Sequence, residues 1–374
     1  MLTVEELLTF AKTHKSEIQK NFYGAPRYNS TKKPHKVLER FFEHERRAML
    51  FLSIEEPKEL CTFFDKDFFH LEKLMNEPEY KTYKIRKKQK GKRKIHSPAS
   101  YLKTIQKKLN RFLQAYYLCM KPEEVHGFVI NPDYLEAKCN IVENARVHTG
   151  KKYVLNIDLK NFFPSISAGR VKQIFTSPLF GFNDQIATAL TLLTTYEGKL
   201  PTGAPTSPVI SNFVCFQLDN DLKSFSEKNG IAYSRYADDL TFSFDILISN
   251  DQITDLVNLI HKNNFEVNQR KLRMKTSNRK QTVTGLIVND KVNVDRKLIR
   301  RIRAMLHDFS INGLQLATIH HLRDRKKLEY FPKEAFCNRL EGYINFVGQV
   351  RGKNDPLYIK FKKSFDILLA SNEK

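Results

Sequence analysis

Ten residues, Tyr233 to Phe242 (YSRYADDLTF), constrain this chain more than any other stretch. Two short apolar runs flank a turn that carries adjacent carboxylates, Asp238 and Asp239, a pattern that predicts a β-hairpin. Like charges a few Å apart repel and raise each other's pKa, so such a turn is costly unless something neutralises it. Asp is also an ordinary turn former, and a lone Asp-Asp pair would mean no more than that. A divalent cation held between the carboxylates is the other solution, because Mg²⁺ takes oxygen ligands of this kind.

A third acid stands upstream. Tyr153–Asp158 (YVLNID) is an apolar run closed by Asp158, and Lys160-Asn161-Phe162-Phe163-Pro164 follows, its proline stopping the strand. Two strands that each deliver acid at one end can lie side by side and bring Asp158, Asp238 and Asp239 to one point. Three carboxylates there suit two-metal phosphoryl chemistry, in which one ion activates an attacking hydroxyl and both stabilise an in-line transition state. Between these acids lies Leu200-Pro201-Thr202-Gly203-Ala204-Pro205-Thr206-Ser207-Pro208, a stiff loop that opens a helical pattern over Val209 to Leu222.

In this order the three segments resemble motifs A, B and C of reverse transcriptases. Two further boxes narrow the resemblance to bacterial retron reverse transcriptases. Asn144-Ala145-Arg146-Val147-His148 is similar to their NAxxH box, and Val283-Thr284-Gly285 to their VTG box. The likeness runs from about Tyr83 to Gly352, and it gives the first eighty residues no place. It implies an α+β right-hand polymerase with fingers, palm and helical thumb. Residues 1–80 are then an N-terminal helical extension, 81–150 the fingers and NAxxH region, and 151–290 the palm with finger helices interleaved. Residues 291–374 are the thumb or RNA-binding C-terminal region.

The resemblance also implies roles. Asp158, Asp238 and Asp239 hold two Mg²⁺, joined by the backbone carbonyl of Leu159, while a primer hydroxyl attacks the α-phosphate of a dNTP. Lys271 stands near the leaving pyrophosphate, where a cation protonates or neutralises developing charge. Lys87 and Arg93 reach the triphosphate, and Arg suits this because its planar fork pairs with phosphate oxygens. Phe163 matches the steric gate that crowds a ribose 2′-OH, with an ordinary core aromatic as its alternative. Thr202 and Gly203 complete the nucleotide contacts, although Thr202 departs from the usual Gln and reaches less far. Asn144, His148, Val283, Thr284, Gly285, Arg300 and Arg301 are expected on RNA. For His148 the role is structural or RNA-positioning rather than catalytic, and Thr284 and Gly285 can be read as a simple strand turn. A cognate structured noncoding RNA is implied as template and primer. Synthesis starts from its 2′-OH to give branched RNA–DNA (msDNA), in antiphage defence with a separate effector protein.

Charge supports the polyanion. Lys and Arg outnumber Asp and Glu by 63 to 41, a net charge of +22, and nucleic acid is the default partner of such an excess. The cations are clustered. Tyr83 to His96 (YKIRKKQKGKRKIH) predicts a basic hairpin around Gly91, and Lys103, Lys107, Lys108 and Arg111 stripe a helix over Ser97 to Cys119. In Asp295 to Phe309 the residues Leu298, Ile302, Met305, Leu306 and Phe309 predict an inner face, opposite Arg296, Lys297, Arg300, Arg301 and Arg303.

The N-terminal residues read as three helices, near Thr3–Ile18, His35–Leu52 and Pro57–Leu74. The second carries Phe41, Phe42, Arg46 and Arg47, which suit either RNA or an ordinary core. No run approaches the ~18–20 apolar residues of a membrane span, and MLTVEELLTF lacks the plan of a signal peptide. Five cysteines without CxxC pairing are expected to be reduced thiols in the cytoplasm. Two rival readings are a group II intron-like or other defence-associated reverse transcriptase, and a non-catalytic RNA-binding scaffold on a polymerase fold. The paired boxes oppose the first, and the intact acids with Lys271 oppose the second.

Overall fold

The computed structural model describes residues 2–23, 36–86, 91–136, 138–322 and 333–372; Lys87 of the basic hairpin lies outside them. The chain forms two compact units. The first comprises Met1–Cys139, Ile157–Leu240 and Ile248–Leu272, and the second Asn140–Asn156, Thr241–Leu247 and Arg273–Lys374. The chain therefore passes from one unit to the other five times.

In the first unit, a capping box between Thr3 and Glu6 starts α1 (Val4–Thr13). Each of the three expected N-terminal helices is interrupted. His14 separates α1 from α2 (Lys15–Tyr23), and only Glu43–Leu52 of the second forms α3. In the third, Asp65 turns left-handed at φ 56° between α4 (Pro57–Phe64) and α5 (Phe68–Asn76). The basic hairpin is present as antiparallel β1 (Tyr80–Arg86) and β2 (Lys92–Pro98), in register from Tyr80 opposite Pro98 to Arg86 opposite Lys92. In α6 (Ser100–Met120) Leu102, Ile105, Leu109, Leu113 and Tyr116 are buried, and Lys103, Lys107 and Arg111 are exposed. With 28 phenylalanines and no tryptophan, the core here is a phenylalanine lattice. Phe63 packs on Phe112 at 4.7 Å and Phe180 on Phe213 at 4.8 Å between ring centres.

Four strands in the order β4, β5, β3, β6 form the sheet beneath the acids: β3 (Tyr153–Asp158), β4 (Ala232–Tyr236), β5 (Asp239–Phe244) and β6 (Arg273–Thr276). Asp158 thus ends the central strand β3 and Asp239 begins the central strand β5, with Asp238 in the turn just before it. β3 pairs antiparallel with β6, from Tyr153 opposite Thr276 to Asn156 opposite Arg273. The stiff loop opens α11 (Ser207–Val214), after α7 (Ile141–Arg146), α8 (Phe162–Ser165), α9 (Ala168–Thr176) and α10 (Asp184–Thr194). The expected helix from Val209 to Leu222 continues as α12 (Phe216–Lys228), and α13 (Asn250–Lys262) follows β5.

In the second unit, the small hairpin β7 (Thr282–Val283) and β8 (Leu286–Ile287) shares a core with three helical stretches. These are α14 (Arg296–Leu322, broken at Gly313), α15 (Lys333–Arg351) and α16 (Pro356–Asn372). Ile302, Met305, Leu306 and Phe309 are buried there, while Arg296, Lys297, Arg300, Arg301 and Arg303 stay exposed, as the periodicity predicts. Among the described residues no helix is long and apolar enough to cross a membrane. All five cysteines are free thiols.

Candidate active site

The end of β3 and the Asp238-Asp239 turn are joined by backbone. The Leu159 amide donates to the carbonyl of Asp238 at 3.0 Å, which sets the two acidic segments side by side. The short helical turn Gln269–Lys271 closes over the third acid. The Asn268 amide donates to the Asp158 carbonyl at 2.8 Å, and its side-chain Nδ2 to Asp158 Oδ2 at 3.1 Å. Lys271 Nζ lies 2.5 Å from Asp158 Oδ1. Both oxygens of Asp158 therefore have donors, and the positive charge of Lys271 reaches Asp238 and Asp239 as well.

The carboxyls of the other two acids are both raised. Burial, followed by the charge of Asp158, raises the Asp238 carboxyl, with Lys271 and Arg93 pulling the other way. Asp239 is open to solvent on one side, yet desolvation by the surrounding protein and then the charges of Asp238 and Asp158 push it up to about 6. Among the described residues no three His, Cys, Asp or Glu side chains stand ready to enclose an ion, consistent with Asp158 being held by Lys271 and Asn268. The donor chemistry fits a hard divalent cation, since the three converging groups are all carboxylates.

The turn rests on a buried polar cluster that the motifs did not signal. Arg235, in the middle of β4, is wholly buried and forks onto Asp219, with Nε to Oδ1 at 2.7 Å and Nη2 to Oδ2 at 2.6 Å. Tyr233 donates to the same carboxylate at 2.8 Å. The remaining nitrogen, Nη1, donates to Asn212 Oδ1 at 2.9 Å and to the Ala237 carbonyl at 3.2 Å. Ala237 needs that grip, because it sits at φ 61° immediately before Asp238, a conformation that costs a residue bearing a Cβ. Gly127 presses on the same point: a Cβ there would come within 2.4 Å of the Ala237 nitrogen. One sequence signal was available, since a charge inside an apolar strand requires a buried partner.

The other expected nucleotide contacts in the first unit surround this turn in part. Phe163 is partly buried, its ring 5.7 Å from Phe128 and 5.4 Å from Phe162. The Thr202 carbonyl accepts from the His96 amide at 2.8 Å, tying the stiff loop to β2, and Gly203 beside it is exposed. Arg93 is exposed on β2, within electrostatic reach of Asp238.

The two boxes meet in the second unit. Thr284 and Gly285 form the two-residue turn between β7 and β8 at φ 47° and 87°, and Thr284 Oγ1 donates to the Ile141 carbonyl of α7 at 3.2 Å. Positive φ at both central residues is the type I′ requirement, unusual for a β-branched Thr. The expectation of RNA contact needs correction for three residues. Asn144, His148 and Val283 are at most 1% exposed, and His148 Nδ1 meets Ser243 Oγ at 2.7 Å. Val283 lies in the core cluster, α7, which carries Asn144, packs against β7 and β8, and His148 is turned towards β5. Gly285, Arg300 and Arg301 are exposed and Thr284 partly so.

The profile of the reverse transcriptase (RNA-dependent DNA polymerase) family matches residues 85–289. The Retron Ec86 reverse transcriptase of Escherichia coli is 32% identical over 279 residues, 74% of this chain and 83% of that protein. The chain belongs to the retron reverse transcriptases. The Retron Ec83 enzyme of E. coli is 30% identical over 74% of the chain and 90% of its own length. With the Retron Mx65 enzyme of Myxococcus xanthus the identity is 33%, but the match spans 55% of that relative. The activity is therefore RNA-directed DNA polymerisation, on an α+β polymerase fold whose members generally use divalent metal ions. The match to the reverse transcriptase profile takes in all three acids, Lys271 and both boxes, while α1 to α5 and α14 to α16 lie beyond it.

Proposed function

We propose that this retron reverse transcriptase copies a cognate structured noncoding RNA, begins on a 2′-OH of that RNA, and leaves branched RNA–DNA (msDNA). The observation that carries this reading is that one chain joins the three-acid site with Lys271 to the interlocked NAxxH and VTG boxes. Two Mg²⁺ held by Asp158, Asp238 and Asp239, with the Leu159 carbonyl, would activate the primer hydroxyl and stabilise charge on the transferring phosphoryl group.

The chain's own residues do the rest. Arg93 and Lys87 bind the triphosphate of the incoming dNTP, and Thr202 and Gly203 border its sugar. Phe163, backed by Phe128 and Phe162, crowds the 2′ position. Lys271 moves from Asp158 to the leaving pyrophosphate and supplies positive charge or a proton there. Arg300 and Arg301 follow the duplex backbone, and Thr284 with Gly285 presents the RNA-reading turn. Asn144, His148 and Val283 shape that turn from beneath. In this reading residues 81–150 serve as fingers, 151–290 as palm and 291–374 as thumb, behind the N-terminal extension. The enzyme works in the cytoplasm, with a separate effector protein in antiphage defence.

The test is to purify the protein from its host and sequence the nucleic acid that accompanies it. A single RNA joined to DNA through a linkage sensitive to 2′–5′ debranching is expected. Linear DNA on unrelated RNAs would overturn the retron-type priming and leave the polymerase.

A further inference from the structure

The sequence left Phe41, Phe42, Arg46 and Arg47 open between core and RNA, and the structure separates them. Phe41 is buried, whereas Phe42 is 56% exposed at the start of α3. Tyr134, 46% exposed, lies beside it with its ring 5.8 Å away and only 4° from parallel. The buried His44 ring packs against both, 5.8 Å from Phe42 and 5.9 Å from Tyr134, so the three rings form a triangle with nearly parallel planes.

The stack is built rather than accidental. The Tyr134 hydroxyl, its one polar atom, is engaged inward, accepting from the His44 amide at 3.3 Å and meeting His44 Nδ1 at 2.9 Å. What remains outward is π-surface with a locked orientation. Two exposed rings held parallel waste apolar area in water unless something flat covers them.

The surroundings say what that is. A cleft of about 370 Å³ runs beside Tyr134, bordered by Arg47, Arg111 and the exposed Ile130. Arg46 and Arg111 have no carboxylate partner among the described residues, and the charges of Arg46 and Arg47 reach the Tyr134 hydroxyl. In the lining of the cleft Arg47 and Arg111 balance Glu43 and Asp133, and Arg46, whose charge also reaches Tyr134, adds the positive excess. Aromatic faces beside arginines are how proteins hold unpaired bases: the rings stack and the cations meet phosphate.

The platform is also tethered to the active-site loop. Gln114 donates to the Phe128 carbonyl at 2.8 Å and accepts from the Ile130 amide at 3.1 Å. Phe128, which packs on Phe163, lies six residues before Tyr134, so the two are at most about 20 Å apart along an extended chain.

We propose that Phe42 and Tyr134, rimmed by Arg46 and Arg111, form a stacking platform for unpaired bases of RNA, built jointly by the N-terminal extension and the segment after Phe128. RNA is the committed ligand, because an RNA-directed polymerase must hold its template before any DNA exists. The inference rests on the polymerase reading only in that choice.

The test uses the full-length protein and a single-stranded RNA oligonucleotide carrying 2-aminopurine, alongside the same RNA annealed to its complement and a DNA oligonucleotide of the same sequence. Phe42→Ala and Tyr134→Ala should each weaken single-stranded RNA binding roughly tenfold, the scale of one lost base–ring stack, and reverse the stacking change in 2-aminopurine fluorescence. Tyr134→Phe keeps the ring and should retain the fluorescence change. Equal loss on single- and double-stranded RNA, a loss confined to DNA, or unchanged fluorescence would each overturn the platform. So would variants that bind RNA normally but no longer retain a protein that co-purifies with the wild type. Primer extension by the same wild-type preparation reports separately on the polymerase: failure there would count against the enzyme, not only the platform.

Discussion

At the scale of single residues, the acids at the β5 turn are costly groups, desolvated and set beside like charge. Asp239 holds its proton more tightly in the folded chain, its carboxyl being pushed up to about 6. A raised folded pKa means that ionisation opposes folding, so this contribution to stability is present below about pH 4 and is lost as pH rises to about 6. In chelator, the melting temperature of Asp239→Asn relative to wild type should therefore climb between pH 4 and 7; a falling difference would contradict the assignment. The same variant should lose at least ~10³-fold in primer extension, several kcal/mol of transition-state stabilisation, while still binding RNA. Phe163→Val should relax dNTP over rNTP discrimination by roughly ten- to a hundredfold, measured by competing incorporation. These acids were legible because adjacent charge on an apolar hairpin has few purposes. Burial of Asn144 and His148 was not, since a polar residue inside a short motif reads the same whether it faces RNA or a neighbouring strand.

At the scale of elements, the sheet and its hairpins followed the pattern of alternation and turn residues, whereas the N-terminal helices broke where spacing gave no warning. Apolar periodicity runs straight through Asp65, whose left-handed backbone is a local choice that Asp tolerates. The turn between β7 and β8 was one reading of Thr284 and Gly285, but its type was hidden, because Thr284 at φ 47° is not a residue that announces a type I′ turn. The Arg235 cluster shows what an element can demand of its support. Its fork on Asp219 and its donation to the Ala237 carbonyl fix the strand that delivers Asp238. Arg235→Met leaves the Asp219 carboxylate buried with one partner fewer and should cost about 3–5 kcal/mol in denaturant unfolding. Arg235→Lys retains the charge without the fork, and should lower the rate of synthesis even under conditions where the protein stays folded. A wild-type rate in the folded lysine variant would remove Arg235 from the support of the turn.

At the scale of the whole molecule, the excess of positive charge correctly indicated a nucleic-acid partner, and the order of motifs indicated the enzyme class. The division into two units was beyond the sequence, because it depends on which distant segments pack together, not on composition. The first unit draws on three separate stretches, the last of them Ile248–Leu272, and both β3 and β5 contribute residues to each unit. On a ribosome this has a temporal meaning. Asp158, Asp238 and Asp239 emerge well before Asn268 and Lys271, so nascent chains present the repelling acids before the segment that neutralises them. Neither unit can close until translation has passed Leu272, and contacts spanning so much sequence are slow to form. A fragment ending at Leu247 should accordingly lack protected amides in β3 and β5 by hydrogen exchange, whereas a fragment ending at Leu272 should protect α6 and the β4 strand. Synthesis of this enzyme would then include an interval in which it is chemically complete in its acids and still unfolded, a window for chaperones rather than for catalysis.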